Sequence, residues 1–176
     1  MNYWYRLMRF FFYSAIKNHP SAKNKHRLLS LASVKTVGIV FDGTATSDVA
    51  VVENFANDLR SKNIQVETLY YLPKEKNAIA KPNSFSGKEV SITHKPQGAI
   101  VEQFCSKKTD ILFALFQHEN LPLEFVVLTA NATCRVGLYS PEKTNCFELM
   151  IKPAATATLS DNIKQAITLL NQVNND

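Results

Sequence analysis

Residues 36–48, Thr36-Val-Gly-Ile-Val-Phe-Asp42-Gly43-Thr44-Ala-Thr46-Ser47-Asp48, decide how this chain is read. A short, nearly continuous run rich in β-branched residues gives way within a few positions to carboxylates and hydroxyls. Such a run is expected of a strand covered on both faces. Thr46, Ser47 or Asp48 can cap the following helix, because an oxygen at that place accepts an otherwise orphaned backbone N–H. The helix is written in Val49, Val52, Phe55, Ala56 and Leu59, which recur every three or four residues. Ile64 to Tyr70 reads as the next strand, so the whole stretch is one βαβ unit.

The same alternation continues downstream. Pro73 to Gly87 has no usable period and reads as a surface excursion, and Lys88 to Thr93 as a weak short strand. Ile100, Val101 and Phe104 predict a helix between Gly98 and Lys107, and Ile111 to Phe116 a buried strand. Asn120-Leu-Pro122 opens a helix to about Asn131, since proline is tolerated in a first turn. Thr133 to Tyr139 and Cys146 to Ile151 are the last two strands, and the closing helix begins at Ser160 or Asp161. The short link at Ser140–Asn145 predicts that these last strands form an antiparallel hairpin. The fold class is therefore α/β: a single three-layer Rossmann/flavodoxin-like domain over residues 34–176. Its sheet is mostly parallel with a C-terminal antiparallel hairpin edge, and an N-terminal amphipathic helix precedes it.

Residues 1–33 form a basic amphipathic leader and connector. On a helical wheel Trp4, Leu7, Met8, Phe11, Phe12 and Ala15 fall on one side, with Arg6, Arg9, Tyr13 and Lys17 on the other. The chain's net charge is +5, yet residues 1–36 hold seven Lys and Arg and no Asp or Glu. Such asymmetry points to an anionic partner. As an interfacial helix, the leader would bury Trp4, Phe11 and Phe12 among lipid headgroups while Arg6, Arg9 and Lys17 contact anionic lipid. A nucleic-acid arm fits less well, because bulky aromatics favour an apolar environment over phosphate. The third reading is a helix docked on the body or on a second subunit.

No stretch reaches the roughly 18 apolar residues of a spanning helix, and no cleavable secretory signal is evident. Cys105, Cys134 and Cys146 form no CxxC pair and leave one thiol over, as expected in a reducing compartment. The expected location is cytoplasmic, peripheral on the inner membrane if the leader is interfacial. His19, His26, His94 and His118 supply no zinc-type spacing, and no metal or cofactor is implied.

In open α/β sheets ligands bind beyond the carboxyl ends of the strands, where strand order reverses. That rule collects Asp42, Gly43, Thr44, Thr46 and Ser47 after the first strand. It adds Gln117, His118, Glu119 and Asn120 after Ile111–Phe116, and Ser140 and Glu142 after Thr133–Tyr139. The Asp42–Asp48 loop loosely resembles the hydroxyl-rich phosphate loop of flavodoxins. It lacks a second glycine-like position, and Asp42 and Asp48 would repel an anion. Neither GxGxxG nor GxxxxGK[ST] occurs. His118 and Glu119 could be a base and its orienter, but adjacent loop residues rarely face one another and GxSxG is absent. The reading leans away from an enzyme and toward a non-catalytic partner- or ligand-binding domain. The alternative is an enzyme or binding module for an anionic small molecule, using these loops.

Several segments together resemble an uncharacterised small bacterial family of unknown function with a Rossmann-like α/β fold. They are the basic leader, Val34–Asp42, Asp110–Phe116, Asn120–Phe125, Arg135–Tyr139 and Phe147–Ile151. The resemblance implies a soluble cytoplasmic protein with no assigned activity, and it carries over no catalytic residues.

Overall fold

The computed structural model describes residues 26–72, 82–140 and 146–173, together with Leu7, Phe10, Phe12, Ser14 and Ile16. Six strands form one sheet: β1 (Thr36–Asp42), β2 (Gln65–Leu72), β3 (Ser84–Ser86), β4 (Thr109–Leu115), β5 (Ala132–Leu138) and β6 (Leu149–Ile151). Among the described residues four continuous helices of two or more turns flank it: α1 (Thr46–Ser61), α2 (Ala99–Ser106), α3 (Leu121–Thr129) and α4 (Leu159–Asn171). The strand order is β3-β2-β1-β4-β5-β6, and every neighbouring pair is parallel. This is the doubly wound order in which the chain walks outward from β1 in one direction and from β4 in the other.

Side chains alternate between two cores, as strand geometry requires. Val37, Ile39 and Phe41 of β1, with Ile111, Phe113 and Leu115 of β4, face the core shared with α1 and α4. Val40, Leu112 and Ala114 face the other, which holds α2 and α3. Right-handed crossovers in opposite directions put α1 and α3 on opposite faces.

All nine residues of α3 are buried, Glu124 included. A helix without a solvent face needs cover on both sides. One side is the sheet; on the other, Phe12 and Ile16 of the N-terminal helical residues join the same core. The Phe12 ring, 1% exposed, meets Phe125 edge-on with centroids 6.0 Å apart. Leu29 and Leu31 enter the opposite core, so residues before Val34 contribute to both.

Three expectations need correction. The last two strands are parallel, Val136 pairing with Leu149 and Leu138 with Ile151, and form no antiparallel hairpin. Because β6 is only three residues long, the intervening chain has to retrace only about 7–10 Å, which its ten residues span easily. Lys88–Thr93 is no strand: a 3-10 turn over Gly87–Glu89 leads into a small hairpin closed by the Val90–Pro96 bridge. The third strand is instead Ser84–Ser86, inside the expected excursion, because β2 still offers an open edge there. The closing helix starts at Leu159, with Thr158 as its cap, just ahead of the expected start at Ser160 or Asp161. Residues 141–145 of the last link lie outside the described residues.

At the amino ends of the strands Asp110 ties β4 to the entry of β1. Its carboxylate accepts from the backbone N–H groups of Lys35 and Thr36, each at 2.9 Å, and its own N–H donates to the Thr36 hydroxyl. Burial alone would raise this carboxyl, but the hydrogen bonds from Lys35 and Thr36 outweigh it and hold the group below its ordinary value. A lowered folded value stabilises the fold above the unfolded value, and that contribution fades as pH falls through the folded one. Asp110→Asn should thus lower the urea midpoint at neutral pH. The gap from wild type should close as pH drops below 3.8, the ordinary value. A gap that does not change with pH would contradict this role.

Candidate functional site

The switch point of the sheet lies between β1, which leads away to β2, and β4, which leads to β5. Beyond the carboxyl ends of these two strands opens a crevice of about 570 Å³. The β1 loop contributes Asp42, Thr44, Ala45 and Asp48, and the end of β4 contributes Leu115, Phe116, Gln117 and His118. The third wall is the N-terminus of α4, with Thr158 and Leu159.

The walls are fixed by local chemistry. Asp42 accepts from the Thr44 N–H at 2.9 Å and from the Thr44 hydroxyl, which folds the loop into a tight turn before α1. Its other oxygen accepts from the Asn120 amide at 3.3 Å, while the Asn120 carbonyl oxygen caps α3 by accepting from Leu123 N–H. One asparagine therefore joins the loops after β1 and β4. At the third wall Thr158 and Asp161 form a reciprocal capping box. Charge in the crevice is carboxylate, from Asp42 and Asp48, beside one imidazole and two threonine hydroxyls.

Of the residues expected to bind ligand, Asp42, Thr44 and His118 line this crevice together. Asn120 stands behind it as the tie to Asp42. Gly43 does other work: its N–H donates to Tyr71 O at 3.0 Å, and a Cβ there would fall 2.8 Å from the Tyr70 ring. Glycine is required because the loop packs on the end of β2. Thr46 and Ser47 are exposed in the first turn of α1, whose N-cap is Ala45 with no side-chain bond, so neither is the cap. Glu119 is exposed, and neither it nor Ser140 is among the lining residues. Of the residues assigned to a membrane surface, Phe12 is packed in the core against Phe125 rather than presented outward. Trp4, Arg6, Arg9, Phe11 and Lys17 lie outside the described residues.

Thr158 and Leu159 were not legible as site residues, because α4 reaches the crevice only by folding back across the sheet. The Thr158-x-x-Asp161 spacing was the available signal that a helix begins there.

Elsewhere two of the thiols are poor nucleophiles. Burial pushes Cys105 and Cys134 up to about 11, far from the thiolate a nucleophile needs. Among the described residues no group of three His, Cys, Asp or Glu is placed to hold a metal ion. Among them too, no helix is long and apolar enough to cross a membrane.

A family model described as a family of unknown function, DUF6913, matches residues 8–173. No curated protein and no solved structure matches the chain. The matched span takes in both cores, the crevice and most of the basic leader.

Proposed function

Because the chain belongs to DUF6913, a family of unknown function, we propose its role from its own geometry: a non-catalytic α/β domain that binds a small ligand between β1 and β4. The observation that carries this is the place and size of the crevice. It stands where strand order reverses, and its volume of about 570 Å³ matches that of small-molecule sites. The lining suits hydroxyl or amino donors, which Asp48, Thr44, Thr158 and Gln117 can accept from. A phosphate would meet Asp42 and Asp48, which weighs against the anionic-ligand alternative. Three hydrogen bonds converge on Asp42, so it holds the loop rather than abstracting a proton.

The test is equilibrium dialysis of a cell metabolite extract against wild type and against Ala45→Trp, which fills the crevice from an exposed position. Wild type should retain a metabolite that Ala45→Trp does not. His118→Ala should weaken retention while changing stability by no more than about 0.5 kcal/mol. Equal retention by wild type and the filled variant would exclude the crevice.

The second part of the proposal is location. Residues 1–18 hold the domain peripherally at an anionic membrane surface, supported by the seven cations and lack of acids over residues 1–36. Phe10 adds to this: it is 68% exposed, whereas Phe12 on the same helical segment is packed inward.

A further inference from the structure

We infer that the hairpin over residues 90–96 is a second membrane contact, which inserts Ile92 into an anionic bilayer beside the N-terminal helical segment. The inference rests on the peripheral location just proposed. Ile92 is 90% exposed, the most of any large apolar side chain among the described residues. The backbone on either side of it is hydrogen-bonded. Ser91 N–H donates to Lys95 O at 2.9 Å, His94 N–H to Ser91 O at 2.9 Å, and Lys95 N–H to the Ser91 hydroxyl at 3.1 Å. Gln97 N–H donates to Glu89 O at 2.7 Å, and Val90 bridges Pro96. His94 takes the left-handed conformation, φ 59°, that turns the chain. A hairpin ordered in advance loses little entropy when its tip enters another phase.

Its position links it to the leader. The Lys95 ammonium lies 5.9 Å from the centre of the Phe125 ring, the same ring that Phe12 meets edge-on. Hairpin and N-terminal helical segment thus meet over one aromatic side chain, and each carries an exposed apolar residue, Ile92 and Phe10. The hairpin and the turn before it hold two exposed lysines, Lys88 and Lys95, and one acid, Glu89, whose carboxylate accepts from the Ser86 N–H and hydroxyl. An exposed apolar tip next to a leader that carries cations and no acids complements an anionic lipid surface. A single inserted side chain binds weakly, so stable attachment takes a second signal, here the charge.

Co-sedimentation of the full chain with phosphatidylglycerol-containing and pure phosphatidylcholine vesicles, at low and high salt, tests this. Wild type should bind the anionic vesicles and release at high salt. Ile92→Asp should bind about tenfold more weakly, the loss expected for one apolar side chain withheld from lipid, with an unchanged melting curve. Ile92→Leu should bind as wild type does. If wild type binds and Ile92→Asp binds equally, the hairpin inference fails while the peripheral location stands. If wild type binds no vesicle, both fail. Vesicle-independent self-association abolished by Ile92→Asp, without lipid binding, would make the tip a protein contact and overturn the inference.

Discussion

Glu148→Ala is expected to destabilise the fold by about 3–5 kcal/mol, the cost of leaving one member of a buried ion pair alone. Arg135 sits on β5 with its side chain 8% exposed, and Glu148, just before β6, is 17% exposed. Their contact is bidentate: Nη2 donates to one carboxylate oxygen at 2.8 Å and Nε to the other at 3.2 Å. The second oxygen also accepts from the Arg135 backbone N–H at 2.6 Å. Removing the carboxylate strands a guanidinium and an amide where water barely reaches. Beside the pair, Phe147 lies so close over Gly137 that a Cβ there would enter its ring, so β5 and β6 are locked by ring and charge together. Urea unfolding of Glu148→Ala should show the loss. Arg135→Met with Glu148→Leu should recover most of it, although the Arg135 N–H would still lack its acceptor. A single-variant loss below about 1 kcal/mol would place the pair in the weak, solvated class.

Phe113→Ala should cost a similar amount, about 3–5 kcal/mol, for a different reason: it removes atoms from a site that cannot close around the gap. Phe113 is wholly buried in the central strand β4, in register with Ile39 of β1 and Val136 of β5. Its ring stands perpendicular to that of Phe55 on α1, with centroids 5.2 Å apart. The strands on either side are pinned by their hydrogen bonds, so the cavity persists. Since α1 begins at the crevice, this variant should also lose ligand retention, whereas Glu148→Ala acts at the far edge of the sheet. Unfolding midpoints and dialysis on the same two proteins would separate the effects.

The elements that the sequence displays plainly are those whose local pattern and tertiary role agree. Thr36–Phe41 and Ile111–Phe116 read as doubly covered strands and occupy the centre of the sheet. Val52, Phe55, Ala56 and Leu59 predict the buried face of α1 and form it. Where pairing rather than pattern decides, local pattern misleads. Ser84-Phe-Ser86 is polar and short, and becomes a strand only because β2 has an open edge. Val90 and Ile92 alternate as strand residues would, yet one makes an isolated bridge and the other points to solvent. The cover over α3 had a signal that amphipathic analysis overlooks: Leu121 to Thr129 has almost no polar side, so another apolar surface had to come from elsewhere in the chain. Phe12 and Ile16 supply part of it. Within the site, the switch-point rule alone locates Asp42, Thr44 and His118, while the α4 wall depends on a long-range return that no local spacing encodes.

Above all, we propose that a small ligand occupies the crevice between β1 and β4. The most direct measurement is two-dimensional amide NMR of the wild-type protein, titrated with the metabolite it retains in dialysis. Saturable shifts should concentrate at Thr44, Ala45, Asp48, Gln117, His118 and Thr158, residues that wall the site. Shifts centred instead on the cleft of Glu67, Asn83 and Lys107 near the β3 edge, or spread without a focus, would contradict it.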